Sequence, residues 1–94
     1  MAHVKIPTPL RQYTSNQAEV SVSGSTVGQA LEDLAAQFPA LRPHLYEGDS
    51  LRGFVNVFLG EEDIRFLQEL DTPIDADARL RIVPAIAGGG LPGI

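Results

Sequence analysis

One helical segment, set between segments that alternate with a period of two, is the feature that most limits how this chain can fold. From Thr26 onward the apolar residues recur at helical spacing: Val27, Ala30, Leu31, Leu34, Ala35 and Phe38. This spacing predicts an amphipathic helix that buries one face. Thr26 with Gln29 three residues later is typical of a capping box, and Pro39 predicts the end of the helix by restricting Phe38 before it.

The segments before the helix predict a pair of strands. Val4 and Ile6 alternate with polar residues, and so do Val20 and Val22. This period of two is typical of half-buried strands, so we expect the two segments to form a hairpin. The connection "PTPLRQYTSNQ" supplies prolines and turn formers and is longer than a tight hairpin loop.

The segments after the helix predict further strands. "FVNVFL" (54–59) and "RLRIV" (79–83) read as strands, and "IRF" (64–66) reads as a short strand after a turn at "GEED". "ALRPHLYEGDSL" (40–51) predicts a loop or a short turn of helix. The apolar side chains expected to face the helix are Val55, Val57, Leu80 and Ile82. The side chains expected on the other side are Phe58, Arg79, Arg81 and Val83.

This element order predicts an α+β fold of one domain. Ninety-four residues support a single core. A mixed sheet of four to five strands packed on one main helix is the β-grasp, or ubiquitin-like, architecture. The pattern leaves a ferredoxin-like alternative open, because "RFLQEL" (65–70) is a candidate for the second helix that such a fold requires. We expect residues 1–84 to form the β-grasp domain and residues 85–94 to form a flexible tail.

Composition excludes several classes of function. The formal net charge is -5 and the sequence pI is about 4.7, which argues against nucleic acid and anionic membrane surfaces as partners. The chain has no cysteine, so disulfides and thiolate metal sites are absent. The sequence shows no apolar run that predicts a signal peptide or a membrane span, and we expect a cytoplasmic protein.

Catalytic and metal sites are weakly supported. His3 and His44 are the two histidines, and neither has another ligand at metal-binding spacing. The carboxylates Glu61, Glu62 and Asp63 are consecutive in a predicted turn, where a solvated acidic tip is the ordinary interpretation. No nucleophile-elbow context supports a Ser-His-Asp hydrolase. The run of glycines near the end of the chain is not followed by a helix, so it does not predict a phosphate-binding loop.

The last twelve residues, "VPAIAGGGLPGI", predict an extended end. Pro84 lacks the N–H needed by a sheet ladder, so it suits the point where the chain leaves the last strand. Residues 85–89 carry one large side chain, Ile86, and at about 3.3 Å per residue they could project roughly 15–20 Å. A frayed terminus is the alternative interpretation of the glycines. The position of the glycines, just after the last predicted strand, favours a functional interpretation. An extended diglycine end can enter the active site of a partner without side-chain clashes.

Two aromatic residues predict a docking surface. Phe54 and Phe58 share a face of their strand, and that face is outward if Val55 and Val57 are inward. A register error, or a loop that covers the two rings, is the alternative interpretation, and the sequence leaves both open.

These stretches resemble the ubiquitin-like sulfur-carrier family, which includes the small subunit of molybdopterin synthase, the thiazole-synthesis carrier and the cysteine-synthesis carrier. The resemblance is carried by "VKIPTPLR", "STVGQALEDLAAQFP", "FVNVFL", "EEDIRFL" and above all "RIVPAIAGG". It implies that the carboxylate of Gly89, preceded by Gly88, is adenylated with ATP by a partner resembling ubiquitin-activating enzymes. A sulfur donor then converts the adenylate to a thiocarboxylate. The chain would bind no cofactor itself and would be a carrier and co-substrate, not an enzyme.

The resemblance also implies which residues meet the partners. Gly88 and Gly89 are the reactive end. The residues expected to contact partner proteins are Phe54, Phe58, Arg79, Arg81, Ile86 and Ala87. The cysteine-synthesis branch, in which a synthase accepts the sulfur on an activated serine, is the favoured interpretation. The molybdopterin branch, a ubiquitin-like modifier joined to lysines and a noncovalent β-grasp adaptor are the alternatives.

The chain departs from the family pattern after the diglycine. Residues 90–94, "GLPGI", leave Gly89 inside a peptide bond, where it cannot be adenylated. We therefore expect a precursor from which a peptidase resembling the JAMM-type metallopeptidases removes Gly90 to Ile94. Cleavage after Gly90 is the alternative, because three consecutive glycines leave the register open by one residue.

Overall fold

The computed structural model describes residues 1–48, 50–53 and 55–84. Its helices and strands, in chain order, are β1 (Ala2–Lys5), β2 (Glu19–Val22), α1 (Val27–Gln37), α2 (Arg42–Leu45), β3 (Tyr46–Glu47), β4 (Ser50–Leu51), β5 (Val55–Leu59), β6 (Glu62–Asp63) and β7 (Arg79–Pro84). Short 3-10 helices cover Thr8–Tyr13, Pro39–Leu41, Ile64–Phe66 and Glu69–Asp71. No helix among the described residues has the length and apolar character needed to span a membrane.

The main sheet has five strands in the order β2-β1-β7-β5-β6. The central pair β1 and β7 is parallel, while β1 with β2, β5 with β7 and β5 with β6 are antiparallel. This mixed sheet over one long helix confirms the predicted α+β fold and the β-grasp topology. The ferredoxin-like alternative is excluded, because the segment proposed for its second helix forms two 3-10 turns in place of an α-helix.

The main helix begins where the sequence predicts. The Thr26 hydroxyl accepts a hydrogen bond from the Gln29 backbone N–H at 3.1 Å, which satisfies one of the free donors of the first turn. The Gln29 side chain accepts from the Ser25 backbone N–H at 2.8 Å, one residue earlier than a standard capping box places it. The helix ends at Gln37, and the Phe38 N–H still bonds the Leu34 carbonyl.

The core lies between α1 and the inner face of the sheet. All four side chains predicted to face the helix are buried, and so is the apolar stripe of α1. The fully buried large side chains are Val4, Ile6, Val22, Val27, Leu31, Leu34, Leu41, Leu45, Val57, Leu80 and Ile82. Burying each such side chain contributes roughly 1.5–3 kcal/mol before the entropy of ordering the chain is subtracted.

The short strand after β5 was predicted in the wrong place. The short strand that follows β5 and pairs with it is β6, which the sequence assigned to a turn. Ile64–Phe66, predicted as that strand, is a 3-10 helix. The cause is local: the Asp63 carboxylate accepts a hydrogen bond from the Arg65 N–H at 2.9 Å and so starts a helical turn. The sequence also did not reveal the 3-10 helix at Thr8–Tyr13 or the small β3-β4 hairpin.

Candidate docking face and strand exit

The outer face of the sheet carries polar and charged side chains because every second residue of each strand points away from α1. The strand register places Lys5 beside both Glu19 and Arg81, and it places His3 beside Arg79. On the other side of β7, Arg81 is paired with Phe58. We call Lys5, Arg79 and Arg81 the basic face.

The basic face is positive on a protein that is negative overall. It holds three of the seven lysines and arginines of the chain. The Glu19 carboxylate lies 3.6 Å from the His3 ring nitrogen and 3.7 Å from the Arg79 guanidinium, but these groups are solvent-exposed. Such surface ion pairs contribute about 0–1 kcal/mol. A second carboxylate, Glu61, lines the same groove as Lys5, Arg79 and Arg81. The face therefore presents three cations beside two carboxylates, Glu19 and Glu61.

Phe58 lies on this outer face and is half-buried. The Arg81 guanidinium sits 5.0 Å from the centroid of its ring, within range of a cation-π contact of about 0.5–1 kcal/mol. The register predicted from the sequence is therefore right: Val55 and Val57 point inward and Phe58 outward. The Arg81 side chain lies over part of the ring. A role for Phe58, Arg79 and Arg81 in binding a partner stays a prediction.

The exit of the last strand lies next to the basic face. Pro84 is the last residue of β7 and is paired with Val55. A groove of about 250 Å³ runs beside it, and its walls include Lys5, Arg11 and Arg81. The last residue of β7, Pro84, therefore lies beside three cationic side chains, which we call the rim of the strand exit: Lys5, Arg11 and Arg81. Charge at this rim can act on whatever partner receives the end of the chain.

A second groove opens on the other side of the exit. It has a volume of about 410 Å³ and is mostly apolar, with Leu10, Pro43, Val55 and Pro84 among its walls. The strand exit is thus flanked by two grooves, and each has a cation in its wall, Arg81 in the first and Arg52 in the second. Several predicted site residues lie outside the described residues: Phe54, Ile86, Ala87, Gly88, Gly89 and Gly90.

Sequence reasoning missed Lys5 and Arg11 as parts of this region. The alternation of Lys5 with Val4 and Ile6 is a signal that Lys5 points outward, but its position beside Arg81 depends on the β1-β7 register. Arg11 lies in the irregular connection after β1, and its guanidinium donates a hydrogen bond to the Ile6 carbonyl at 3.0 Å. No pattern in the sequence predicts that contact.

Other candidate sites have structural explanations. Within the described residues there is no group of three or more His, Cys, Asp or Glu side chains able to hold a metal ion. His44 stacks on Tyr13 with ring centroids 4.1 Å apart. Glu61 and Glu62 are exposed, as expected of a solvated acidic tip, while the Asp63 carboxylate caps a 3-10 turn.

In the part of the chain that the structure describes, the two groups with shifted pKa values, Glu32 and Tyr46, belong to one cluster formed by α1, α2 and β3. Arg42 makes two hydrogen bonds to the Glu32 carboxylate, at 2.9 and 3.2 Å, and this contact holds the pKa of Glu32 below its usual value. The Arg42 guanidinium also lies 4.8 Å from the ring centroid of Tyr46. Burial raises the pKa of Tyr46 to about 12. The cluster ties α2 to α1 and lines none of the grooves described above.

A mixed five-stranded sheet on one long helix, with the last strand in a central position, defines a ubiquitin-like protein of the β-grasp class. The chain belongs to the ThiS family, whose model matches residues 4–89. It is 40% identical over 89 residues to the sulfur carrier protein CysO of Mycobacterium tuberculosis, covering 92% of this chain and 96% of that protein.

Two solved structures extend the likeness. The Amycolatopsis orientalis BexX/CysO complex contains a chain that superposes with a TM-score of 0.88 at 32% identity, covering 95% of this chain and 100% of that one. The small archaeal modifier protein 1 of Methanosarcina acetivorans superposes with a TM-score of 0.85 at 29% identity, covering 94% and 95% of the two chains.

Proposed function

We propose that this chain delivers sulfur as a thiocarboxylate formed on the carboxyl group of Gly89, in the manner of a cysteine-synthesis carrier. The chain is a sulfur carrier protein by family and by its likeness to CysO. The observation that carries the proposal is the extent of the family match. The match runs from residue 4 to residue 89 and so ends on the second glycine of the diglycine, five residues before Ile94.

The chemistry requires an activated carboxyl group. The Gly89 carboxylate attacks the α-phosphorus of ATP, pyrophosphate leaves, and an acyl adenylate forms. Hydrosulfide, or a donor equivalent to it, then attacks the acyl carbon and displaces AMP, which leaves a thiocarboxylate. A free carboxylate resists this attack, whereas its mixed anhydride with AMP has a good leaving group. ATP and the catalytic groups belong to the partner, so this chain acts as a co-substrate.

The basic face is the proposed docking surface for the activating partner, an adenylyltransferase that resembles ubiquitin-activating enzymes. Phe58 supplies a half-buried aromatic surface, and Arg81 and Lys5 supply charge beside the strand exit. From Pro84, the five residues up to Gly89 span at most roughly 16–18 Å when extended. A partner held on the basic face can therefore receive Gly89 in an active site about that far from Pro84.

Release of Gly89 requires proteolysis. We propose that a JAMM-type metallopeptidase cleaves between Gly89 and Gly90, with cleavage after Gly90 as the alternative register. The later partner is a synthase that accepts the sulfur on an activated serine. The CysO of Amycolatopsis orientalis was crystallised in a complex with BexX, which supports the general idea that such carriers bind partner proteins. We propose a cytoplasmic location for these reactions.

Exchange of labelled pyrophosphate into ATP tests the activation step. The chain that ends at Gly89 should support exchange by the cognate activating enzyme, and the chain that ends at Ile94 should not. A chain that ends at Gly88 is the matched control and should also be inactive. Exchange that is equal for the chains ending at Gly89 and at Ile94 would contradict the proposal.

A second candidate function is conjugation to protein lysines. The likeness to a small archaeal modifier protein, at 29% identity and a TM-score of 0.85, supports it. Both functions pass through the same adenylate and differ in the nucleophile that attacks it. A branched peptide that joins the glycine end to a lysine side chain would identify the modifier. The molybdopterin branch is distinguished by its sulfur acceptor.

A further inference from the structure

Lys5 is the single lysine of the chain, and the other six basic residues are arginines. A lysine amine can lose its proton and attack an activated carboxyl group, whereas an arginine guanidinium stays charged in proteins. Lys5 is exposed, and its amine makes no ion pair with any residue that the structure describes. Lys5 therefore holds the one side-chain amine of this chain that can form an amide with an activated end.

Lys5 lies at the end of β1 that is nearest the strand exit. The strands β1 and β7 run parallel, and their register pairs Lys5 with Arg81, three residues before Pro84. One strand spacing and three residues of rise place the α-carbons of Lys5 and Pro84 about 11 Å apart. Both residues line the groove of about 250 Å³ beside the exit. A free amine thus stands next to the residue from which the C-terminal segment starts.

Gly89 is within reach of Lys5. The five residues from Pro84 to Gly89 span at most roughly 16–18 Å, which exceeds the separation of about 11 Å before the lysine side chain adds its own length. The terminal amine of Met1 is out of reach, because the parallel register puts Met1 about 23 Å along the sheet from Pro84. Glycine at positions 88 and 89 permits the reversal of direction that such a closure requires.

We propose that Lys5 captures the activated Gly89 of its own chain in an internal isopeptide bond. The inference rests on the proposed function, because it starts from the acyl adenylate. The unprotonated amine attacks the acyl carbon and forms a C–N bond. The C–O bond to AMP breaks, AMP leaves with the bonding electrons, and the extra proton of the amine passes to water.

The groove at the strand exit favours this capture within one chain. A group held by a short linker has an effective concentration on the order of millimolar, so closure onto Lys5 competes well with attack by the lysine of a second copy. The walls of the groove that the structure describes hold three cations, Lys5, Arg11 and Arg81, and no carboxylate. These cations attract the negative phosphate of the adenylate.

Capture by Lys5 takes place when the adenylate leaves the active site of the partner before sulfur arrives. A chain closed in this way has no free carboxyl group at Gly89, so it cannot be activated again. Lys5 would thereby withdraw the carrier from use when the sulfur donor is scarce.

A chain ending at Gly89 as a thioester of 2-mercaptoethanesulfonate tests this inference without the activating enzyme. The thiolate takes the place of AMP as the leaving group. Wild type should form a monomer that is lighter than the hydrolysed acid by the mass of one water. Fragment mass spectrometry should place the new amide between Gly89 and Lys5. The same product should accumulate from the free acid with ATP and the activating enzyme when no sulfur donor is present.

Lys5→Arg keeps the positive charge and should give hydrolysis alone. The matched control is Lys5→Arg with Ser23→Lys, which returns one lysine to an exposed position after β2, at the end of the sheet opposite to Pro84. Closure in wild type should be at least about tenfold faster than in this control. Thermal unfolding shows whether each variant is folded.

Four results would overturn the inference. The first is hydrolysis alone in the wild-type thioester. The second is closure at equal rates in wild type and in the relocated-lysine control. The third is a dimer in place of the closed monomer, which assigns the acceptor to a second copy. The fourth is no closed monomer from the free acid with ATP and the activating enzyme.

Pyrophosphate exchange by the chain ending at Gly89 separates this inference from the proposed function. Exchange without closure rejects capture by Lys5 and leaves the carrier function intact. Absence of exchange counts against the proposed function and also removes the acyl adenylate that the capture requires, whatever the thioester does.

Discussion

The guanidinium carbon of Arg81 lies 5.0 Å from the centroid of the Phe58 ring, and the two residues are directly paired across β7 and β5. The pairing fixes the ring on the outer face of the sheet and places a charge over it. The same arginine lines the groove beside Pro84. One contact thus links the aromatic part of the proposed docking surface to the start of the C-terminal segment.

Phe58→Ala should weaken binding of the activating enzyme more than it lowers stability. The ring is half-buried, so we expect its loss to cost about 1–2 kcal/mol of folding free energy, less than the 3–5 kcal/mol typical of a fully buried ring. The affinity should fall by about tenfold or more if the ring fills a pocket on the partner. Urea denaturation and calorimetry measure the two quantities. Glu47→Ala is the control, and a large loss of stability with unchanged affinity would assign Phe58 to packing alone.

Arg81→Glu should slow association with the activating enzyme. It reverses one of the charges of the basic face and removes the cation-π contact, so the association rate at low salt should fall by about tenfold, with a smaller difference at high salt. Stopped-flow fluorescence at two salt concentrations checks this. The double variant Ala36→Glu with Gln68→Glu changes two exposed positions outside the basic face, makes the same change in net charge and serves as the control. Equal rates for wild type and Arg81→Glu would remove the basic face from the account.

Truncation after Gly89 should leave the folded domain unchanged. The last strand ends at Pro84, and every core side chain among residues 1–48, 50–53 and 55–84 precedes it. We expect the free energy of unfolding to change by less than about 0.5 kcal/mol, as for a change outside the packed structure. Thermal unfolding of the two chains provides the measurement. A loss of several kcal/mol would give "GLPGI" a structural role and remove the reason for a processing step.

Thr26→Ala should destabilise the domain by about 1 kcal/mol, because the Gln29 N–H loses its hydrogen-bond acceptor at the start of α1. Thr26→Ser keeps the hydroxyl and should retain most of the stability. Equilibrium unfolding in urea separates the two variants. Equal losses for both would show that the methyl group, not the cap, is what matters at this position.

Stability should fall at alkaline pH because of Tyr46. Burial raises its pKa from 10.0 to about 12, so the folded state keeps the phenol proton after the unfolded state has lost it. This stabilisation is fully present below pH 10 and is lost as the pH rises through about 12. Tyr46→Phe keeps the ring beside Arg42 and should flatten this part of the pH profile. If wild type and Tyr46→Phe have the same dependence of stability on pH between about pH 9 and about pH 12, the alkaline loss of stability does not come from Tyr46.

The parts of the fold that depend on periodicity could be predicted from the sequence. The spacing of Val27, Leu31 and Leu34 predicts the buried face of α1, and the alternation in "RLRIV" predicts which side chains of β7 point inward. The cap at Thr26 is a local contact and was found. The outward position of Phe58 follows from the same alternation.

The parts that depend on particular hydrogen bonds or on strand register could not be predicted. The Asp63 carboxylate turns the chain into a 3-10 helix where the residue types favour a strand. Lys5 joins the basic face because β1 runs parallel to β7, and Arg11 joins the groove because its guanidinium reaches the Ile6 carbonyl. The exposure of Phe66 follows from the same turn, since a strand at that point would have given its side chain a different environment.

Intact-mass spectrometry of this protein from its native cells shows whether Gly89 becomes a free chain end that carries sulfur. We predict a chain that ends at Gly89, lacks Gly90 to Ile94 and has one carboxyl oxygen replaced by sulfur in part of the population. Treatment with a thiol-alkylating reagent should add a single group to that species, because the chain has no cysteine. A population that consists wholly of the chain ending at Ile94, with no sulfur gained, would contradict the account.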